Sequence, residues 1–154
     1  MSISPPPRDL STISEDQKIF VKKLVDSAFD VWFALDKQTL SQAGEPVDTT
    51  DATVTTIQLM PMDDETTCNI SAIVIGVESG GGNRASYEII GTFYRSGGGA
   101  TQQGTTTVLH SAESAAGWDA TFDVNDNDVR IRVTGVAATN IRWQSNAKIT
   151  SLSN

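Results

Sequence analysis

His110 is the single histidine of the 154-residue chain, and Ser111 and Glu113 follow it at the spacing of a nucleophile and an acid. The surrounding TTTVLHSAE reads as a strand, in which sequence neighbours point to opposite faces. No glycine-flanked nucleophile elbow accompanies them, so His110 is assigned no chemistry. Asp119 and Asp123 share one strand face, but residues four apart in a strand lie roughly 13 Å from each other. A glycosidase pair needs about 5–9 Å. Asp123, Asn125, Asn127 and Asp128 offer calcium oxygens around a turn. That turn lacks the glycine and terminal glutamate of an EF-hand, and Asp–Asn turns form readily without metal. The glycine runs at 80–82 and 97–99 lead from strand to strand and carry no lysine, unlike phosphate loops. They are expected to be hairpin connections gathered at one end of the domain. Trp118, Trp143, Tyr87 and Phe93 offer either a carbohydrate-stacking patch or a core, and Trp118 with Phe122 on one strand face favours the core. Arg130 and Arg132 alternate with Ile131 and Val133 and suit an acidic partner on an adjoining strand or subunit. No catalytic, cofactor-binding or metal-ligating residue is assigned, and no cofactor is expected; the chain is read as a non-enzyme.

The elements that carry these residues are mostly strands. NISAIVIGV at 69–77 and YEIIGTFYR at 87–95 flank the first glycine run and read as an antiparallel hairpin. Ile73, Ile75 and Val77 share one face of its first arm, with the smaller Ala72 and Val74 on the other. Tyr87, Ile89 and Phe93 share a face of the second arm, opposite Ile90 and Tyr94. Neither arm has a clean solvent side, so one face is expected under a second sheet and the other against a neighbouring subunit. The structural core is expected to contain Ile73, Ile75, Phe93, Trp118 and Phe122.

Before the strands, Pro5, Pro6 and Pro7 favour an extended arm. A capping box at Thr12–Glu15 or Ser14–Gln17 opens a helix that ends near Asp36. Val21, Leu24, Ala28, Val31 and Leu35 follow a 3-4-3-4 spacing, the seam of a coiled coil, and are the expected oligomer interface. A helix packed on its own sheet accounts for the stripe as well. Residues 39–51 are polar, contain Gly44 and Pro46, and read as a linker. Strands are expected at 53–60, 69–77, 86–95, 105–110, 118–124, 128–134 and 140–149. The organisation is therefore an arm, helix and linker over 1–50, serving attachment or oligomerisation, and a β-domain over 51–154. The fold class is mainly β: an antiparallel β-sandwich, jelly-roll-like, preceded by an N-terminal arm and one amphipathic helix. Patterning leaves an immunoglobulin-like strand order open.

A formal charge of −8 and a pI near 4.4 disfavour nucleic acid as a partner, which calls for a basic footprint. The single cysteine, Cys68, precludes an intrachain disulfide. No apolar run reaches the length of a membrane span, and the start of the chain lacks the pattern of a signal peptide. Synthesis in the cytoplasm is expected, with release by particle assembly and lysis as one route out.

The block running from SYEIIGTFYR to NIRWQSNAKI carries Tyr87-Glu88-Ile89, Gly117-Trp118-Asp119, Val133-Thr134-Gly135 and Ile141-Arg142-Trp143. From near Asp51 onward it resembles a β-structured module of tailed-bacteriophage virion proteins, found in fibres, tail-associated polypeptides and capsid cement proteins. The resemblance implies a display or oligomerisation unit, commonly trimeric, and carries over no active residue. The expected function is a non-catalytic virion structural protein, a capsid cement or decoration protein or a short head or tail fibre, assembled in the host cytoplasm. The alternative is a host-receptor or glycan-binding module of a tail or fibre. Expected partners are the chain itself as a homotrimer, a major capsid or tail protein, and, for the alternative, a host-surface glycan; neither nucleic acid nor membrane is expected. Exposed aromatics near the glycine loops would favour the glycan module, and buried ones a structural role.

Overall fold

The computed structural model describes residues 40–153, which lie within the second of two units of the chain, Lys37–Asn154. These residues form nine strands: β1 (Leu40–Ala43), β2 (Val47–Thr49), β3 (Thr55–Pro61), β4 (Thr66–Glu78), β5 (Arg84–Arg95), β6 (Thr101–Glu113), β7 (Asp119–Asn125), β8 (Asp128–Thr134) and β9 (Ile141–Ser153). All seven expected strands are present as β3 to β9. All pairings are antiparallel. The large sheet has the order β1-β9-β4-β5-β6 with β2 also on β9, and the small sheet the order β3-β8-β7.

Two parts of the expected fold are corrected. No helix occurs among the described residues, so the fold described is two antiparallel sheets without the amphipathic helix. The segment expected to be helical, with Val21, Leu24, Ala28, Val31 and Leu35, lies outside the described residues, as does the proline arm. The strand order is also not that of a jelly roll. Strands β4, β5 and β6 are consecutive neighbours in a meander, and β7 with β8 forms a second local hairpin, whereas jelly rolls are built from two Greek keys.

The segment expected to be a linker is not simply one, since its described residues contribute two strands to the large sheet before residue 50. Strand β1 pairs with residues 146–149 and β2 with 141–143, so both run along the same side of β9. Gly44 and Pro46 mark the break between them. Pro46 can give no ladder hydrogen bond, which an edge tolerates. Gly44 donates its N–H to the Ser145 carbonyl at 2.9 Å, and a Cβ there would lie 2.6 Å from Ser145 Oγ.

The core explains which face of each strand turns inward. Trp143 is 0% exposed and stands opposite Gly76 in register. A Cβ on Gly76 would sit 2.6 Å from its ring. Trp118 meets Trp143 edge to face with centroids 5.4 Å apart, and Phe93 meets Phe122 at the same separation. These rings fill the space between the sheets, so β4 presents small residues beneath them: Ala72, Val74 and Gly76 are buried. Phe93, Trp118 and Phe122 are core residues as expected. Ile73 and Ile75 are not: they are 52% and 50% exposed, on the outer face of the large sheet. Side-chain size pointed the wrong way because the bulk on the inner side comes from β5, β7 and β9.

Polar bridges hold the sheets together at their flanks. A register shift in β3 turns both Ile57 and Gln58 inward. Gln58 Oε1 accepts from Ser145 Oγ at 2.7 Å, and its Nε2 donates to the Gln42 carbonyl at 3.0 Å. On the opposite flank, the Phe122 N–H donates to Thr106 Oγ1 at 3.2 Å, linking β7 to β6. Burial pushes the Cys68 thiol up to about 11, which keeps it protonated and inert at neutral pH.

The two glycine turns lie at opposite ends of β5, not together. At the 97–99 end, Ala100 and Met62 donate their N–H groups to the carbonyls of Asp126 and Asn127. Asp64 Oδ1 accepts from the N–H of Gly97 at 2.8 Å and of Glu65 at 3.1 Å. These bonds, Gly97 first, hold the Asp64 carboxyl below the usual carboxylate range. A depressed folded value means that the tie is complete above the unfolded pKa and is lost as pH falls through the folded one. The Gly97 amide resonance is therefore expected to titrate with a midpoint below that of an unperturbed aspartate, and Asp64→Asn to abolish that movement. A midpoint above that value would contradict the tie.

Candidate functional site: the outer face of the large sheet

Strand alternation sends the odd residues of β4 and the even residues of β5 and β9 to the outer face. Ile73, Ile75 and Val77 form a ridge along β4, all exposed. Register places Arg84, Ser86 and Glu88 of β5 beside Val77, Ile75 and Ile73 in turn. On the other side stand Arg142, Gln144 and Asn146 of β9. A hollow of about 390 Å³ runs along the β9 side of the ridge, where Ala43 and Pro46 of the edge segment form its wall. A second, of about 460 Å³, lies on the β5–β6 side and is lined by Ile75, Arg84, Ser86, Ala112 and Ser114 among others. Ile75 borders both.

The charges on this face differ from those elsewhere. Arg130 makes a two-pronged contact with Asp123, its Nε and Nη2 each 2.7 Å from a carboxylate oxygen. Arg132 donates to the same Asp123 at 2.9 Å and to the Val54 carbonyl at 2.8 Å. Asp123 is thus occupied by arginines on an adjoining strand of its own sheet, which takes it out of the calcium set considered from the sequence. Arg95 donates to the carbonyls of Gly98 and Met62. Arg84, Arg142 and Lys148 remain, and none of them enters an ion pair among the described residues. All three are exposed on the outer face of the large sheet. Asp48 stands in register beside Arg142 on β2, and Glu88 lies two rows from Arg84. Glu78 is taken up by the N–H and side-chain amide of Asn83.

The other residues singled out for chemistry are dispersed. Ser111 Oγ donates to Glu113 Oε1 at 3.2 Å, while His110 is turned to the opposite face beside Glu88. No group of three His, Cys, Asp or Glu side chains suited to a metal occurs among the described residues. Trp118, Trp143, Tyr87 and Phe93 are all buried in the chain's own core, and Tyr94 is the large aromatic on the surface of the described residues. Burial, with the Glu113 carboxylate second, drives the Tyr87 phenol further up from its usual value, so it stays neutral. His110→Ala is expected to change a urea melt by less than about 1 kcal/mol, the value of one local hydrogen bond. A larger loss would give His110 a structural task that its exposed position does not show.

Sequence reading missed the flanks of the ridge. The signal was there in Ile141-Arg142-Trp143-Gln144-Ser145-Asn146-Ala147-Lys148, a strict alternation in which Arg142, Gln144, Asn146 and Lys148 are exposed and the residues between them buried. The β-structured module expected from the resemblance is what the described residues form. No protein-family model and no curated protein matches the chain. Among solved structures, the tailspike protein of Acinetobacter baumannii phage AM24 is similar over 77% of this chain and 27% of its own, with TM-score 0.49 and 6% identity. The tailspike of Acinetobacter phage vB_ApiP_P1 is similar over 77% of this chain and 22% of its own, with TM-score 0.42 and 18% identity. Tailspike protein gp49 of Acinetobacter baumannii bacteriophage Fri1, a capsular polysaccharide depolymerase, gives 75% and 20%, with TM-score 0.37 and 9% identity. The chain spans 20–27% of the length of these tailspikes. At these scores and identities the likeness extends to neither residues nor activity.

Proposed function

We propose that the chain is a non-catalytic module of a tailed-bacteriophage virion, part of a fibre or tail-associated assembly put together in the host cytoplasm. The outer face of the large sheet is its docking surface on a neighbouring virion protein. The observation that supports this reading is the ridge of Ile73, Ile75 and Val77, left exposed between two hollows while every aromatic side chain of the described residues except Tyr94 is buried. Contiguous apolar surface rimmed by polar residues marks interaction sites. Labelling purified phage particles with an antibody to the chain is expected to mark the tail or its fibres. Label over the shell would make it a cement or decoration protein, and unlabelled particles would overturn the virion assignment. A homotrimer belongs to the proposal, and sedimentation equilibrium of the full chain should give three times its 16.4 kDa mass.

A second reading, recognition of a host-surface glycan, draws on Arg142, Gln144 and Asn146 along the hollow on the β9 side of the ridge. Guanidinium and amide groups suit sugar hydroxyls. Retention of host polysaccharide by the chain, lost in Gln144→Ala, would assign the face to glycan.

A further inference from the structure

Taking the outer face as a docking surface, we infer that its partner is an acidic polypeptide segment bearing an aliphatic residue between two carboxylates. The row at the end of the ridge carries the inference. Arg84, Val77 and Arg142 stand directly side by side on β5, β4 and β9. Neighbouring strands are about 4.8 Å apart, so the two arginine backbones are separated by about 10 Å with the valine midway. Each arginine borders one of the two hollows.

Charge selects the occupant. The chain carries a net −8, yet the cations of the described residues that are free of ion pairs, Arg84, Arg142 and Lys148, share this one face. Facing negative charges are Asp48, beside Arg142, Glu113, which lines the hollow that Arg84 borders, and Glu88, further along the ridge. The exposed guanidinium fork matches a carboxylate in geometry as well as charge. Along an extended peptide, residues i, i+2 and i+4 share a face and span roughly 13 Å. An acid–aliphatic–acid series at that spacing sets its carboxylates over the two arginines and its aliphatic side chain over Val77 and Ile75. An anionic polysaccharide could meet the arginines, but sugar rings stack on aromatic faces, and the ridge offers branched aliphatic ones instead.

The test uses the full chain and an immobilised peptide of repeating Glu-Ser-Val-Ser, with Lys-Ser-Val-Ser as control. The acidic peptide should bind, more weakly as salt is raised, and the basic one should not. Arg84→Glu and Arg142→Glu should each weaken binding by about tenfold or more, and Ile75→Glu should abolish it, all in chains that still fold cooperatively. Variants that bind like the parent would overturn the inference. So would polygalacturonate binding that equals the peptide and ignores Ile75→Glu, which would make the occupant an anionic glycan. Self-association lost in Ile75→Glu would make it a second copy of the chain. If Ile75→Glu removes the chain from particles while the acidic peptide fails to bind, the docking surface stands and the acidic partner is wrong.

Discussion

Trp143→Ala is expected to cost about 3–5 kcal/mol, the range for removing a buried aromatic ring. A domain of this kind has only about 5–15 kcal/mol in total, so most folded protein should be lost at moderate urea. The indole is fully buried, stacks edge to face on Trp118, and lies over the Cβ-less surface of Gly76. Its Nε1–H donates to Thr49 Oγ1 at 2.9 Å, so truncation also leaves a buried hydroxyl short of its partner. Trp118→Ala should fall in the same range, since Trp118 is buried against the same ring. The reciprocal probe is Gly76→Val. Its new side chain would overlap the rigid indole, with an overpacking cost of about 1–3 kcal/mol. Urea melts of the three variants check this, and a Trp143→Ala protein that melts like the parent would remove the two indoles from the centre of the account.

Two adjacent residues of β4 should respond oppositely to the same substitution. Val74 is 0% exposed and Ile75 half exposed on the other face. Val74→Glu places an unpaired carboxylate between the sheets and is expected to cost about 4 kcal/mol or more. Ile75→Glu loses strand propensity and some contact on the outer face, an expected change within about 1 kcal/mol. Circular dichroism melts of the pair read the result directly. Equal damage from both would mean that the outer face is packed within the monomer, and the ridge would not be available to a partner.

Alternation was enough to find seven strands and to place Phe93, Trp118 and Phe122 in the core, because those strands carry strong β-branched and aromatic patterns. It could not say which face of β4 is inner. That choice is set by Trp143 and Trp118, brought over Gly76 and its neighbours by pairings between residues distant in sequence. The first two strands escaped notice for a different reason. Strands β1 and β2 are short, polar and interrupted at Gly44–Pro46, and they are held by β9 rather than by their own propensity. The docking face was half legible: Ile73, Ile75 and Val77 stood out as a set, and a neighbouring subunit was among the expected covers. Their exposure, and the gathering of Arg84 and Arg142 about Val77, needed the register.

Attachment to the particle tests the central claim most directly. Phage particles produced with the Ile73→Glu/Ile75→Glu chain in place of the parent are purified, and the chain retained on them is measured by quantitative mass spectrometry. With the outer face docked on a neighbour, the variant chain is expected to fold, with a melt close to the parent's, yet to be stripped from the particles. Parental occupancy by the folded double variant would contradict it.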